Sequence, residues 1–334
     1  MIKVALIGCG EMGRTHATCL ARLPGVKLLA CCDIDVSKAQ ELCHNFSVDR
    51  YCSDSGDIFR DPEVDAVYVL SRTDAHFADC LQTLQSGKHL FIEKPLALDL
   101  DQAQQIARAA RRTDRLVMVG FKFRFYRLIE RARRCVGKPY LAAVQILDDP
   151  WPADFWANQQ DKGGGNVISQ GVHGADLLRY LLQSEPTAVY AVGGNYHQKT
   201  GVVDNLNAVF RFANGSSGSL VVGDCGRAVL QGKFSCNLAG EAGTVDLDQR
   251  FTRLGIQLRD GTLRIENGEE DGFFLENQAF IEAIDKKLAS PCAVENGVMA
   301  QAMIKAAIDS AQHDAVVEIS RDLSGSVNLH SRTY

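Results

Sequence analysis

The sequence predicts two units of different fold class. Residues 1–121 read as an α/β doubly wound parallel sheet, and residues 122–334 as an α+β unit with a mostly antiparallel sheet. Three observations carry this. Continuously apolar runs alternate with helix-periodic segments through the first part, the pattern of parallel strands covered on both faces. From residue 186 to about 260, strand-like runs follow one another with Asn-Gly, Ser-Gly, Ala-Gly and Asp-Gly turns that suit hairpins. A length of 334 residues accommodates two domains.

In the first unit, KVALIGCG (3–10) is an apolar run closed by glycine, and EMGRTHATCLARL (11–23) has helical periodicity. VKLLACCD (26–33) and DAVYVL (65–70) are buried strands. HFADCLQTLQSG reads as a helix, HLFIEKP as a strand and turn, LDLDQAQQIARAARR as a helix, and RLVMVGF as the last strand. After Gly120 the texture changes. FKFRFYRLIERARRC is basic, aromatic-rich and partly helical; PYLAAVQILDD is a strand; and the loop PWPADFWANQQDKGGG carries both tryptophans, Trp151 and Trp156. VHGADLLRYLLQ (172–183) is an amphipathic helix that places His173 near its start. The run of strands is followed by the helices FFLENQAFIEAIDKKLA and VMAQAMIKAAIDSAQ, the strand AVVEI and a polar tail, and the C-terminal helix is a candidate to pack back on the first unit.

The bulk properties exclude several classes. A net charge of −5 gives no electrostatic reason for nucleic acid or an anionic membrane as partner. No apolar run reaches the ~18 residues of a membrane span, and the first ten residues are already strand and turn rather than a secretory leader, so a cytoplasmic protein is expected. Eleven cysteines, an odd number without a C-x-x-C pair, point to free thiols rather than a disulfide framework or a zinc cluster, and no metal is expected.

Gly8-Cys9-Gly10-Glu11-Met12-Gly13 follows a strand, opens a helix and precedes Asp33 by twenty residues, at the end of the second strand. In that context it is a dinucleotide-binding fingerprint. Gly8 permits the tight turn, Gly10 lets backbone approach a pyrophosphate, and Gly13 allows close helix–strand packing. Free N–H groups at the helix start favour the anion, while the Glu11 side chain points to solvent. Asp33 is placed to accept hydrogen bonds from the adenosine ribose, and its charge repels a 2′-phosphate, so NAD is favoured over NADP. Ser71 and His76, in SRTDAH after the third strand, and Glu93-Lys94, after the next, fall at strand ends where such sheets bind ligands. Arg127, Arg131, Arg133 and Arg134 read as a solvated helix face, with a phosphate site as the alternative.

GCGEMG with a downstream Asp, then EKP, then GF-x-x-RF, then GGG-x5-G-x-H-x-x-D, in this order, resemble the glucose–fructose oxidoreductase/inositol dehydrogenase (Gfo/Idh/MocA) family over nearly the whole chain. The resemblance implies a Rossmann-type first domain, a second domain on a large open sheet, and homodimers or homotetramers formed through that sheet. It implies oxidation or reduction of a hydroxyl of a sugar, inositol or related polyol with NAD(P). Lys94 then touches the reacting oxygen and His173 serves as acid–base. Ser169 stands where an Asp is often found four residues before that histidine, and Lys122 where Asn often follows GF. Substrate contacts are expected from Lys122, Arg124, Trp156, Asn166, Ser169, His173 and Asp176, with Trp151 a further pocket candidate. The same scaffold also serves NAD-using glycoside cleavage, imine reduction and non-catalytic NAD sensing.

Neutral His173, with an unperturbed pKa of ~6.5, can take a proton near neutral pH. Lys94 as ammonium can stabilise a developing alkoxide. A hydroxyl at position 169 can orient the imidazole but supplies no charge to stabilise its protonated form. Were the segment a loop at Ser169, that pairing would not exist.

Overall fold

The computed structural model describes residues 1–226, 232–322 and 325–332. Two compact units are present: residues 1–122 with 273–298, and residues 123–272 with 299–334.

In the first unit the strands are β1 (Ile2–Ile7), β2 (Val26–Cys32), β3 (Arg50–Cys52), β4 (Ala66–Val69), β5 (His89–Ile92) and β6 (Val117–Val119). They form one parallel sheet in the order β3-β2-β1-β4-β5-β6. The helices are α1 (Glu11–Leu20), α2 (Val36–Phe46), α3 (Ser55–Arg60), α4 (Thr73–Gln85) and α5 (Leu100–Ala110). Strand order reverses between β1 and β4, and the carboxyl ends of strands at such a reversal are where this architecture binds ligands. The central strands are apolar on both faces: Val4, Ala5, Leu6, Val67, Leu90 and Phe91 are fully buried. Tyr68 stacks on Phe91 at 4.6 Å, and Phe280 meets both rings edge-on. Segment 273–298 is integral to this unit. Val119 N donates to Cys292 O at 3.0 Å, and Ser290 Oγ donates to Val117 O at 2.7 Å.

The second unit contains α6 (Arg127–Cys135), β7 (Pro139–Leu147), α7 (Asn166–Leu182), β8 (Pro186–Gly194), β9 (Asn205–Phe212), β10 (Ser217–Gly223), β11 (Phe234–Gly240), β12 (Gly243–Asp248), β13 (Arg253–Leu258), β14 (Leu263–Asn267), β15 (Val316–Arg321) and β16 (Val327–Arg332). Two further helices, α8 (Gly272–Asp285) and α9 (Val294–His313), precede β15. The strands form one ten-stranded sheet, ordered β14-β13-β12-β11-β7-β10-β9-β8-β15-β16, in which β7 and β10 pair in parallel and the other neighbours antiparallel.

α7 packs across β7 and β10. The close fit requires glycine at 174, where a Cβ would stand 2.4 Å from Leu220 Cδ1. The other face of the sheet is open at β8 and β9, where Tyr190, Val192 and Val209 are exposed between buried Val189, Ala191 and Ala208. The expected polar tail is in fact largely strand β16; its residues 323–324 and 333–334 lie outside the described residues. All eleven cysteines are free thiols, and among the described residues no helix is long and apolar enough to cross a membrane.

Candidate active site

The glycine turn has the shape its sequence implies. Gly8 has φ +99°, and a Cβ there would lie 2.5 Å from the Leu70 carbonyl carbon. A Cβ on Gly13 would lie 2.3 Å from Gly8 O, so helix α1 approaches β1 as closely as backbone allows. Gly10 caps α1, has open space around it, and leaves the first turn without a side-chain cap. Glu11 is exposed, and Met12 behind it is half-buried. Asp33 accepts from Cys9 N at 2.8 Å and from Asp35 N at 2.9 Å. A carboxylate has about four acceptor sites, so two such bonds fix its orientation and leave capacity for a ribose diol. The residues present therefore fit a dinucleotide: uncapped helix N–H groups for the pyrophosphate and an oriented carboxylate for the ribose.

Lys94 follows β5 by two residues, half-buried, on a cis peptide to Pro95. Its neighbours are tied down from two sides. His76, fully buried, sits between the carbonyls of Pro95 and Ser71 at 2.9 Å each. Burial pushes its pKa down, and the two carbonyls pull against that. Ser71 Oγ in turn donates to Asp79 at 3.3 Å. Glu93 is buried, with Oε2 accepting from Lys94 N at 3.0 Å and Oε1 facing His16 Nε2 at 3.0 Å. Asn277 holds the other side of His16: its Nδ2 donates to Phe273 O at 2.7 Å and lies 2.9 Å from His16 Nδ1. Lys122 Nζ lies over the Phe273 ring, 4.1 Å from its centroid.

In the second unit, α7 begins at Asn166, six residues earlier than expected. Ser169 and His173 are therefore both helical and share one face. Ser and Gly are weak helix formers, but burial of Val167, Val172, Ala175, Leu177 and Leu178 holds the segment helical regardless. His173 is buried mid-helix, its ring 4.9 Å from that of Phe123. Asp176, one turn on, receives Arg124 in a fork: Nε donates to Oδ2 at 2.7 Å and Nη2 to Oδ1 at 2.6 Å. Asn166 is buried, and neither its Oδ1 nor its Nδ2 has a hydrogen-bond partner.

The tryptophan loop is anchored by residues that sequence reasoning did not single out. Trp151 N donates to Asp224 Oδ2 at 3.2 Å and its indole N–H to Asp148 at 3.0 Å, while Gln198 Nε2 bridges Trp151 O and Asp224. His197 Nε2 faces Asp224 at 2.8 Å, and three successive backbone N–H groups converge on buried Asp204. Trp156, half-buried, packs against Phe155 at 5.6 Å. The basic run is neutralised locally: Arg127 pairs with Asp271, Arg131 with Glu266, and Arg133 and Arg134 with Glu130.

Residues 2–121 match the GFO/IDH/MocA oxidoreductase family, NAD-binding Rossmann fold, and residues 132–246 match the GFO/IDH/MocA C-terminal domain. The chain belongs to the GFO/IDH/MocA oxidoreductase family. It is 28% identical over 257 residues to a myo-inositol 2-dehydrogenase from Thermotoga maritima, covering 74% of this chain and 75% of that protein. It is likewise 28% identical over 231 residues to an NAD(+) scyllo-inositol 2-dehydrogenase from Bacillus subtilis, covering 66% of each. Among solved structures, a levoglucosan dehydrogenase complex with NADH superposes with TM-score 0.88 at 21% identity, covering 95% of this chain and 98% of that one, which shows that the two share a fold. This GFO/IDH/MocA member is thus an NAD-binding oxidoreductase.

Proposed function

We propose that the protein is an NAD-preferring dehydrogenase that oxidises a hydroxyl of an inositol or related cyclic polyol, with Lys94 and His173 handling the proton. The single observation that carries this is the presence of both a lysine held just after β5 and a buried histidine on α7 in a chain whose curated relatives include inositol 2-dehydrogenases.

Bound NAD supplies the two-electron acceptor. Lys94, anchored through its backbone by Glu93, donates a hydrogen bond to the substrate oxygen and stabilises its developing charge. His173 takes the proton in its neutral form. Burial and the Phe123 ring restrict the imidazole, and Ser169 lies one turn before it. Asn166 offers an amide to a substrate hydroxyl. Asp176 and Arg124 hold one another rigid at the same helix. The carboxylate at position 33 disfavours a 2′-phosphate, hence NAD over NADP. The open apolar face of the ten-stranded sheet fits self-association into a homodimer or homotetramer, and a cytoplasmic location suits eleven reduced thiols.

The test is a panel of inositols, sugars and sugar acids with NAD and with NADP, read by absorbance of the reduced nicotinamide. Stoichiometric NADH with an inositol supports the reading. Substrate cleavage without net NADH would place the protein among transient-redox enzymes. Dinucleotide binding without turnover of any compound would make it a sensor.

A further inference from the structure

Behind Lys94, in the first unit, lies a cluster of which the proposed chemistry uses only Glu93, as the anchor of the Lys94 backbone. His16 from α1, Glu93 at the end of β5 and Glu276 from α8 are buried, and each offers a ligand-type atom within 4.8 Å of the others. Glu93 accepts from Lys94 N through Oε2 and faces His16 Nε2 through Oε1. Glu276 is completely buried, and neither carboxyl oxygen has a hydrogen-bond partner. The sequence carries a signal for it: Glu276 falls on the same helical face as Phe273 and Phe280, where an apolar residue is expected.

Two carboxyl groups this close in an apolar setting do not both ionise at neutral pH, because each charge raises the cost of the other. We propose that Glu93 and Glu276 hold one proton between them, and that the single negative charge they share sets the position and charge of Lys94 and Lys122. Two observations support the assignment of the proton to Glu276. His16 Nε2 faces Glu93 Oε1 at 3.0 Å, and this contact outweighs burial and holds the Glu93 carboxyl below the usual carboxylate range. Burial, then the charge on Glu93, push the Glu276 carboxyl well above the ordinary range, against the pull of Lys122 and Lys94.

The titratable groups around the pair are His16 and Cys19 on α1, Tyr68 on β4, His76 on α4, Lys94 after β5 and Lys122 after β6. The three side chains, one imidazole and two carboxylates, also suit a divalent cation. The nearby charges of Lys94 and Lys122, which act on the carboxylates, favour a proton over a further dication.

Glu276 is on this view a positioning residue, acting on the reaction only through the lysines. The inference rests on the proposed dehydrogenase for its catalytic consequence, but its test does not need turnover. The pH dependence of acetic anhydride labelling at Lys94 and Lys122 is followed by mass spectrometry in the full-length wild type, E93Q, E276Q and E93Q/E276Q. In either single variant the remaining carboxyl carries the charge, and the Lys94 midpoint moves little. In the double variant it falls by about one unit or more. Shifts that simply add, or a folded double variant with the wild-type midpoint, overturn the proposal, and so does a stoichiometric metal ion in the purified protein.

Should the double variant not fold, infrared difference spectra of wild type against E276Q decide. A protonated-acid carbonyl band present at neutral pH and lost in E276Q supports the proposal, and its absence from the wild type overturns it. Non-additive midpoints in a protein that oxidises no polyol would sink the dehydrogenase reading alone.

Discussion

Arg124 and Asp176 grip each other through two near-parallel hydrogen bonds, with side chains only 13% and 2% exposed. Removing Asp176 takes both hydrogen bonds of this fork from a guanidinium that is largely buried. Asp176→Ala is expected to lower unfolding free energy by about 3–5 kcal/mol, measured by urea denaturation, whereas a surface pair such as Lys286–Glu282 contributes about 0.2–1 kcal/mol. A loss under 1 kcal/mol for Asp176→Ala would mean that the pair is not a structural clamp.

Gly13→Val forces side-chain atoms into the space where a Cβ already stands 2.3 Å from Gly8 O. Overpacking of this kind costs roughly 1–3 kcal/mol. NADH affinity, read by fluorescence titration, is expected to fall by at least ~10-fold as α1 tilts off the turn. Unchanged affinity would separate the glycine turn from dinucleotide binding.

Asp33→Asn keeps the shape of the side chain but removes its charge. Hydrogen bonds to charged groups contribute about 1.5–3 kcal/mol, so NAD kcat/KM is expected to fall by roughly 10- to 100-fold, with a smaller fall for NADP. Equal losses with both cofactors would show that Asp33 does not discriminate between them.

Ser169→Asp puts a carboxylate one helical turn before His173. An adjacent negative charge favours the imidazolium and raises its pKa by about 1–3 units, so the acid limb of the kcat/KM profile is expected to move up in pH by that amount. An unmoved limb would show that residues 169 and 173 do not interact.

Glu130 connects stability to acid pH. Burial raises its pKa, but hydrogen bonds from Arg133, Tyr180 and Arg134 outweigh this and depress it from the usual 4.5 to about 2. A depressed folded-state value means that the contribution is present above the unfolded pKa. It is lost as pH falls from about 4.5 towards 2. Urea midpoints across this window are expected to fall more steeply in wild type than in Glu130→Gln, and identical slopes would remove Glu130 from the acid response.

Much of the fold is legible because its signals are local. The apolar runs at 3–7 and 65–70 have no plausible place but a buried parallel sheet, and the glycine spacing at 8–13 has a steric cause visible at Gly8 and Gly13. Legibility fails where burial is partial or tertiary packing overrides propensity. β14, with the pattern Leu-Arg-Ile-Glu-Asn, and β16 are edge strands whose mostly exposed side chains carry little alternation. α2 buries only Ala39, Leu42 and Cys43, so its periodicity is faint; its cap, Asp35 accepting from Ser37 N, is the better marker. At the site, Lys94 and His173 stand out through their motifs. Glu276 and Asn277 do not, because their meaning comes from His16, 261 residues before Asn277.

The return of residues 273–298 to the first unit bears on how the protein is made. A ribosome releasing residues 1–122 has exported the entire six-stranded sheet, yet β6 still lacks the bond to Cys292, His16 lacks its amide partner, and the space beside Leu96 still awaits Gly297. The nascent nucleotide-binding half must therefore wait, incomplete, while some 150 residues of the other half are synthesised. Truncation anywhere before residue 298 would damage the amino-terminal half as surely as the carboxyl-terminal one.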